Sequence, residues 1–309
     1  MHILITPRSF GKNNPELFTR LTSADITYTR NDTGHILNEA EMIERIHDCD
    51  GVILGVDPMN AKVIENAPKL KAIAKYGVGT DNIDLELCAT KNICVSRTLG
   101  ANSNAVADYT MTLMLMVARK ALLIDQRCRK KDWSKTTSLD LYQKTLGIVG
   151  LGNVGKAVAK RALGFSMQIL AYDVQRDEKF AATHHIQYTD LDTLCKESDV
   201  ITLHANLTAE NKHLINAQRL ELMKNTAILV NTARGDLIDE TALLAALQSK
   251  RIYGAGLDVF TEEPPSAPAW YSLDNLVFGS HTSSSTLGAT ATMGQMAVDN
   301  LLRDLKINT

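Results

Sequence analysis

Residues 146–173, LGIVGLGNVGKAVAKRALGFSMQILAYD, constrain the fold more than any other stretch of this chain. Leu146–Val149 is a short apolar run with β-branched residues, the pattern of a buried strand. Gly150, Gly152 and Gly155 then give G-x-G-x-x-G, and Lys156–Leu163 continues at helical spacing. A second apolar run, Met167–Tyr172, ends in Asp173. In such a unit the first glycine permits the tight turn and the second lets backbone approach a pyrophosphate. The third lets helix pack closely on strand. The helix N-terminus brings unsatisfied N–H groups to the phosphates. Asp173, 21 residues beyond Gly152, is placed to accept hydrogen bonds from an adenosine ribose and to repel a 2′-phosphate. The stretch predicts a dinucleotide-binding unit, with NAD favoured over NADP. Arg176, close behind Asp173, is a residue of the kind that holds a 2′-phosphate.

The rest of the chain is long enough for a second unit. Its 309 residues allow two domains with sizeable cores, and 45% hydrophobic with 22% charged residues is ordinary for a globular protein. A net charge of −2 gives no basic surface for nucleic acid and no polybasic case for membranes. The N-terminus, MHILITPRSF, reads as a core strand and a loop rather than a signal peptide. The apolar run Met111–Ala118 stops at Arg119 and Lys120, too short to span a bilayer. Cys49, Cys88, Cys94, Cys128 and Cys195 are odd in number and form no C-x-x-C pair, as expected of reduced thiols in a cytoplasmic protein.

Before the glycine motif, strands are expected at Ile3–Ile5, Ile26–Thr29, Gly51–Leu54 and Leu70–Ala74. Helices are expected at Pro15–Leu21, near Glu39–His47 and around Asn60–Asn66. Such alternation, with short unalternating strands, argues for a parallel sheet covered on both faces. The turn Lys75-Tyr76-Gly77-Val78-Gly79-Thr80-Asp81-Asn82 follows a strand and precedes a helix, where open α/β sheets bind ligands. Its glycines let successive N–H groups converge on an anion. A glycine-rich turn without a ligand fits the residues equally well. Ala101–Lys131 reads as one long helix, capped by Asn102 or Ser103 and followed by a polar surface loop carrying Trp133. Its methionines read as core.

Beyond Asp173, strands are expected at Val200–Leu203, Ala227–Val230, Gly254–Leu257 and Leu276–Phe278, with a helix at Glu240–Lys250 and a last helix at Thr286–Leu305. That makes six strands from Leu146 onward, a doubly wound sheet. Polar residues follow these strands: His204, then Asn231-Thr232-Ala233-Arg234-Gly235-Asp236, then Asp258, then His281.

The ordered segments KYGVGTDNIDL, GLGNVG, VNTARGDLIDE, GLDVFTEEP and SHTSSST resemble the D-isomer-specific 2-hydroxyacid dehydrogenase family over nearly the whole chain. The resemblance implies two doubly wound parallel-sheet domains, a Rossmann NAD domain (99–284) inserted in a flavodoxin-like substrate-binding domain (1–98 and 285–309). Crossings near residues 100 and 285 would form the hinge. It further implies a catalytic trio of Arg234, Glu263 and His281. Gly150, Gly152, Asn153, Val154 and Gly155 match the pyrophosphate turn, and Asp173 the ribose acid. Thr232, Ala233, Arg234, Asp258 and His281 match positions near the nicotinamide, with His204 in the loop beside the cofactor. Lys75, Tyr76, Gly77, Val78 and Gly79, with Arg234 and His281, match the substrate site, Val78 and Gly79 as backbone donors to its carboxylate. A homodimer through the Ala101–Lys131 helix and the loop after it is likewise implied. The remaining histidines are not at metal-ligand spacing, so no metal is expected.

The chemistry of the trio stands independently. Reducing a 2-oxo acid needs hydride at carbon, a proton at oxygen and a carboxylate held still. An arginine fork holds carboxylate and polarises the ketone at once. Histidine titrates near neutrality and can give or take the proton. An adjacent carboxylate fixes the imidazole and stabilises its protonated form. Taken singly, Arg234 reads as a surface ion pair, His281 as a loop histidine and Glu263 as a solvated acid. Only their place in the family pattern raises them.

The chain departs from the pattern in places. His204-Ala205-Asn206-Leu207-Thr208 stands where His-x-Pro-Leu-Thr is usual, and Thr282-Ser283-Ser284-Ser285 replaces a Gly/Ala-rich turn. Gly55 and Lys75 stand at strand ends where phosphoglycerate-handling members carry a basic cluster. Lys75 alone is a candidate phosphate contact. The expectation is therefore an NAD-dependent dehydrogenase of the short, phosphoglycerate dehydrogenase-like form, without a regulatory domain. Its substrate would be 3-phosphoglycerate or a related small hydroxy acid of the hydroxypyruvate or glyoxylate type. Formate-type members pair the histidine with glutamine, against Glu263. An NAD(H)-sensing protein of the C-terminal-binding corepressor type shares fold and trio but carries low-complexity extensions, which this sequence lacks.

Overall fold

The central strands of this chain are four- or five-residue, largely apolar and buried runs, and runs of that kind pair in parallel beneath helices on both sides. The computed structural model describes residues 1–307. The chain forms two units, one from Met1–Asn102 with the segment from Ser285 onward, the other from Ser103–Ser284.

The first unit runs β1 (His2–Ile5), α1 (Glu16–Ser23), β2 (Thr27–Arg30), α2 (Glu39–Ile46), β3 (Gly51–Leu54), α3 (Ala61–Glu65), β4 (Ala72–Lys75), α4 (Leu85–Thr90) and β5 (Cys94–Arg97). The sheet order is β2-β1-β3-β4-β5, every pair parallel. This is the flavodoxin-like order. Every residue of β3 and β4 is buried. Helix starts are set locally: Asn38 and Glu41 form a reciprocal capping box, and Asn60 and Asp84 cap α3 and α4. Strand β5 has no apolar run to announce it. It is fixed by pairing with β4, Ile73 opposite Val95, at a partly exposed edge.

The second unit runs α5 (Ser103–Arg119), α6 (Ala121–Arg129), β6 (Thr145–Val149), α7 (Asn153–Leu163), β7 (Gln168–Tyr172), α8 (Glu178–Thr183), β8 (Gln187–Tyr188), α9 (Leu191–Glu197) and β9 (Val200–Leu203). It continues through α10 (Ala217–Leu222), β10 (Ile228–Asn231), α11 (Glu240–Gln248), β11 (Gly254–Leu257) and β12 (Leu276–Phe278). A final helix, α12 (Leu287–Asp304), packs on β3, β4 and β5 of the first unit. The sheet here is seven-stranded, β12-β11-β10-β9-β6-β7-β8, wholly parallel. The expected six strands omit β8, an edge of just two residues that no apolar run could signal.

Neighbouring residues of a strand serve opposite faces. In β6, Val149 joins Ile201, Leu229 and Leu257 beneath Leu194 and Leu243, while Ile148 joins Val230 beneath Met114 and Val158. Burying each such side chain contributes roughly 1.5–3 kcal/mol. At the switch point between β6 and β9 the sheet direction of winding reverses, which opens the crevice used for dinucleotides.

The expected single helix over Ala101–Lys131 is instead two. Lys120 sits between α5 and α6 in the left-handed region, at φ 50°. The carbonyl of Ala118, which a continuous helix would use four residues on, accepts Leu139 N–H at 3.0 Å and Tyr253 Oη–H at 3.4 Å. Tertiary acceptors thus override helical periodicity. The loop that follows carries Trp133 at 82% exposure. No helix among the described residues is long and apolar enough to cross a membrane.

Candidate active site

The glycines of the second unit leave room for backbone and ligand in turn. Gly150, at φ 94°, donates to Tyr172 O, and a Cβ there would lie 2.7 Å from Ala205 N. A Cβ at Gly155 would lie 2.1 Å from Gly150 O. Gly152 differs, since a Cβ there meets nothing within 4 Å. It is the N-cap of α7 and supplies no side-chain cap, so the first N–H groups of that helix, beginning at Asn153 and Val154, are left without a capping side chain. These residues fit the pyrophosphate of NAD. At the end of β7, Asp173 takes Leu151 N–H on one oxygen at 2.6 Å and Gln175 N–H on the other at 2.8 Å. Its carboxylate is pinned to the glycine turn, with lone pairs left for a ribose.

The loops after β9, β10 and β11 bring the other polar residues to the same sheet edge. His204 N–H donates to Val149 O, and its Nε2 lies 3.0 Å from Thr202 Oγ1. Burial of the ring pushes its pKa down to about 3, so the imidazole is neutral at working pH. Thr232, buried, shares a 3.0 Å hydroxyl contact with Thr110 of α5, and Ala233 N–H is held by Asn231 Oδ1. Arg234 follows directly; its carbonyl accepts Asn231 Nδ2–H at 2.8 Å, and its Nη1 donates to Ala233 O at 2.6 Å.

Glu263 and His281 meet. His281 Nδ1 lies 2.9 Å from Glu263 Oε2, and the other carboxylate oxygen accepts Phe260 N–H at 3.1 Å. Burial works to raise the Glu263 carboxyl, but the hydrogen bond and charge of His281, the Phe260 amide and the Arg234 charge together hold it below its ordinary value. The charges of His281 and Arg234 thus both act on the Glu263 carboxyl. Bonding to the carboxylate assigns the proton of neutral His281 to Nδ1 and leaves Nε2 for proton exchange. His281 takes a left-handed backbone, φ 53°. The turn is held by Asp258, whose carbonyl accepts His281 N–H and whose buried carboxylate accepts Thr282 and Ser283 N–H, each at 2.9 Å.

Residues 111–283 match the model of the D-isomer specific 2-hydroxyacid dehydrogenase NAD binding domain. A glyoxylate reductase of Korarchaeum cryptofilum is 41% identical over 269 residues, which cover 84% of this chain and 81% of that protein. The chain belongs to the D-isomer specific 2-hydroxyacid dehydrogenase family. A D-3-phosphoglycerate dehydrogenase of Methanocaldococcus jannaschii is 39% identical over 87% of this dehydrogenase but only 52% of its own length. The crystal structure of the Aquifex aeolicus D-lactate dehydrogenase, complexed with NAD and lactic acid, superposes with a TM-score of 0.84 at 29% identity, covering 96% of this chain and 93% of that one.

This 2-hydroxyacid dehydrogenase is therefore an NAD-dependent oxidoreductase that transfers hydride between nicotinamide and a D-2-hydroxy acid/2-oxo acid pair, and the corepressor reading falls away. Its first unit presents the turn after β4. Gly77, at φ 144°, donates to Thr98 Oγ1 and leads into Val78 and Gly79, whose N–H groups meet no acceptor among the described residues. Tyr76 Oη donates to Thr290 O on α12. Lys75 is only 5% exposed, its ammonium directed to Gly55 O and, at 2.9 Å, to Asn82 Oδ1.

Two supporting groups of this dehydrogenase are invisible to motif reading. Asp57, buried, accepts Thr6 Oγ1–H and Leu37 N–H, and Asn82 Nδ2 donates to Gly55 O at 3.2 Å and Asp57 O at 2.5 Å. Together they tie the turns after β1, β3 and β4 into one network. Only their position at strand ends hinted at it. The Asp258 carboxylate is engaged by the His281 turn.

Proposed function

We propose that this dehydrogenase reduces a small, unphosphorylated 2-oxo acid of the glyoxylate or hydroxypyruvate type. The observation that carries the mechanism is the 2.9 Å contact of His281 Nδ1 with Glu263, beside the charge of Arg234. Bound nicotinamide supplies or takes the hydride at the substrate carbon. Protonated His281 gives its Nε2 proton to the ketone oxygen and is left neutral, with Glu263 holding the ring. The Arg234 guanidinium holds the carboxylate and polarises the ketone. Val78 and Gly79 donate to that carboxylate through their N–H groups. Oxidation runs the same steps in reverse.

The absence of a phosphate is supported by Lys75, the one basic candidate of the sequence pattern. Its ammonium is buried and turned to Gly55 O and Asn82 rather than outward. The glyoxylate reductase relatives at 38–41% identity point the same way. In this reading residues 1–98 and 285–309 bind substrate and 99–284 bind NAD. A homodimer uses α5, α6 and the loop after them, where Leu122, Trp133 and Tyr142 are exposed at 42%, 82% and 60%. Residence in the cytoplasm is supported by five cysteines that are all unpaired.

The test is NADH oxidation by purified protein with glyoxylate, hydroxypyruvate, phosphohydroxypyruvate, pyruvate and oxaloacetate, with His281→Asn as control. Glyoxylate or hydroxypyruvate should give the highest kcat/KM, lost in the variant. A preference for phosphohydroxypyruvate would overturn the substrate reading. Turnover unaffected by His281→Asn would overturn the mechanism.

A further inference from the structure

The loop after β7 holds two residues of opposite consequence for the cofactor. Asp173, at its start, is locked by the Leu151 and Gln175 amides and cannot swing away. Arg176, three residues on, is exposed and makes no ion pair among the described residues. Its guanidinium carbon lies 5.2 Å from the centroid of the Tyr188 ring.

That ring is itself fixed. Tyr188 belongs to β8, its backbone opposite Ala171 of β7, and its Oη accepts Asp177 N–H at 2.9 Å. Burial, with the nearby charges of Asp173, Glu178 and Asp177, raises the Tyr188 phenol, which stays protonated. Asp177 is the nearest acid that could capture Arg176, but it pairs with Lys156 at 2.5 Å and caps α8 through Phe180 N–H. A cation over an exposed ring is held only a few-fold in population, roughly two- to fivefold. Arg176 is therefore parked on Tyr188, not committed to it.

We propose that Arg176 is a stored ligand for a 2′-phosphate, and that Asp173 alone keeps it out of use. The proposal rests on the reading that the adenosine ribose lies at Asp173. With Asp173 present, a 2′-phosphate meets a fixed carboxylate and the cofactor is NAD. With Asp173 made neutral, the 2′-phosphate occupies that place and Arg176 leaves the Tyr188 face to form a charge-assisted, bidentate contact with it. The preference of this enzyme for NAD is then one substitution deep, because the cationic half of an NADP site is already built.

The experiment uses calorimetric binding of ADP and of 2′,5′-ADP, which report the adenosine subsite without turnover, together with NADH and NADPH kinetics. The natural protein should bind ADP at least about tenfold more tightly than 2′,5′-ADP. Asp173→Ser should cancel or reverse that ratio, and adding Arg176→Ala should remove the gain for 2′,5′-ADP by roughly fivefold or more while ADP affinity changes less than about twofold. If the gain survives Arg176→Ala, another cation such as Lys156 binds the phosphate and the proposal is wrong. If Asp173→Ser leaves the ratio unchanged, the ribose is not at Asp173 and the underlying reading fails instead. Asp173→Asn, which keeps an acceptor for one of the two amides, gives the same comparison should the serine variant fold poorly.

Discussion

His281 Nδ1 sits 2.9 Å from Glu263 Oε2 on a turn whose own amides are held by Asp258, so the imidazole is fixed from both ends. Glu263→Gln keeps the shape of the pair and removes its charge. We expect kcat to fall roughly tenfold to a hundredfold, with NADH affinity unchanged by fluorescence titration. The same pair has an acid limit. The Glu263 carboxyl is held below its ordinary 4.5 in the folded protein, so its stabilising contribution is present above about pH 4.5 and lost as pH falls through the lower folded value. The Tm gap between the natural protein and Glu263→Gln should accordingly close below pH 4.5.

His281 itself occupies a left-handed backbone at φ 53°. Asparagine tolerates that region better than other residues, so His281→Asn separates chemistry from folding. Its Tm should lie within a few degrees of the natural protein while kcat drops by about 10²–10⁴. A fall in Tm as large as that of a core substitution would mean that the loss of activity is structural.

Asp258 is 1% exposed and accepts Thr282 and Ser283 N–H, one on each carboxylate oxygen. Asp258→Asn opposes one amide donor with another. The His281 turn should loosen, and kcat should fall about tenfold or more, with substrate KM moving less than twofold. Nearly unchanged kcat would show that the His281 N–H bond to the Asp258 carbonyl suffices.

Both sheets were legible because their central strands are short apolar runs, and the glycine turn and Asp173 because they stand at the ends of two of those strands; Arg234, Glu263 and His281 stood out only through the family resemblance. What the sequence hid was decided by tertiary partners. Leu139 and Tyr253 claim the carbonyl of Ala118 and break the long helix at Lys120. Strands β5 and β8 exist through their neighbours β4 and β7 rather than through hydrophobic runs of their own. Lys75 reads from the sequence as a candidate phosphate contact, yet a carbonyl and an amide oxygen inside the unit take its ammonium. Motifs report which residues stand at a site; they do not report which way a long side chain turns.

Gly235, next to Arg234, shows the same limit. A Cβ there would lie 2.1 Å from the Phe260 carbonyl carbon, on the peptide that leads to Glu263. Gly235→Ala must therefore separate the Arg234 turn from the Phe260–Glu263 segment. We expect destabilisation of about 1–3 kcal/mol in urea unfolding and a fall in kcat/KM beyond tenfold, while NADH still binds. A variant with native kinetics would show that the two segments move freely against each other.

His204 is the last case, and there the sign of a pH effect decides. Burial pushes its pKa from 6.5 down to about 3, so the folded protein keeps the ring neutral where the unfolded chain would protonate it. Between those values the unfolded state binds the extra proton, and stability rises with pH. The contribution is fully present above pH 6.5 and is lost as pH falls toward 3. His204→Gln keeps a polar neighbour for Thr202 Oγ1 without a titrating ring, so urea unfolding at pH 7.5, 6.0 and 5.0 should show its deficit shrinking steadily as pH falls. A deficit constant with pH would mean that the ring takes up its proton as readily in the fold as in the unfolded chain. Because the ring is neutral throughout the working range, the pH dependence of kcat should be the same in His204→Gln as in the natural protein, and any titration seen near neutrality belongs elsewhere in the site.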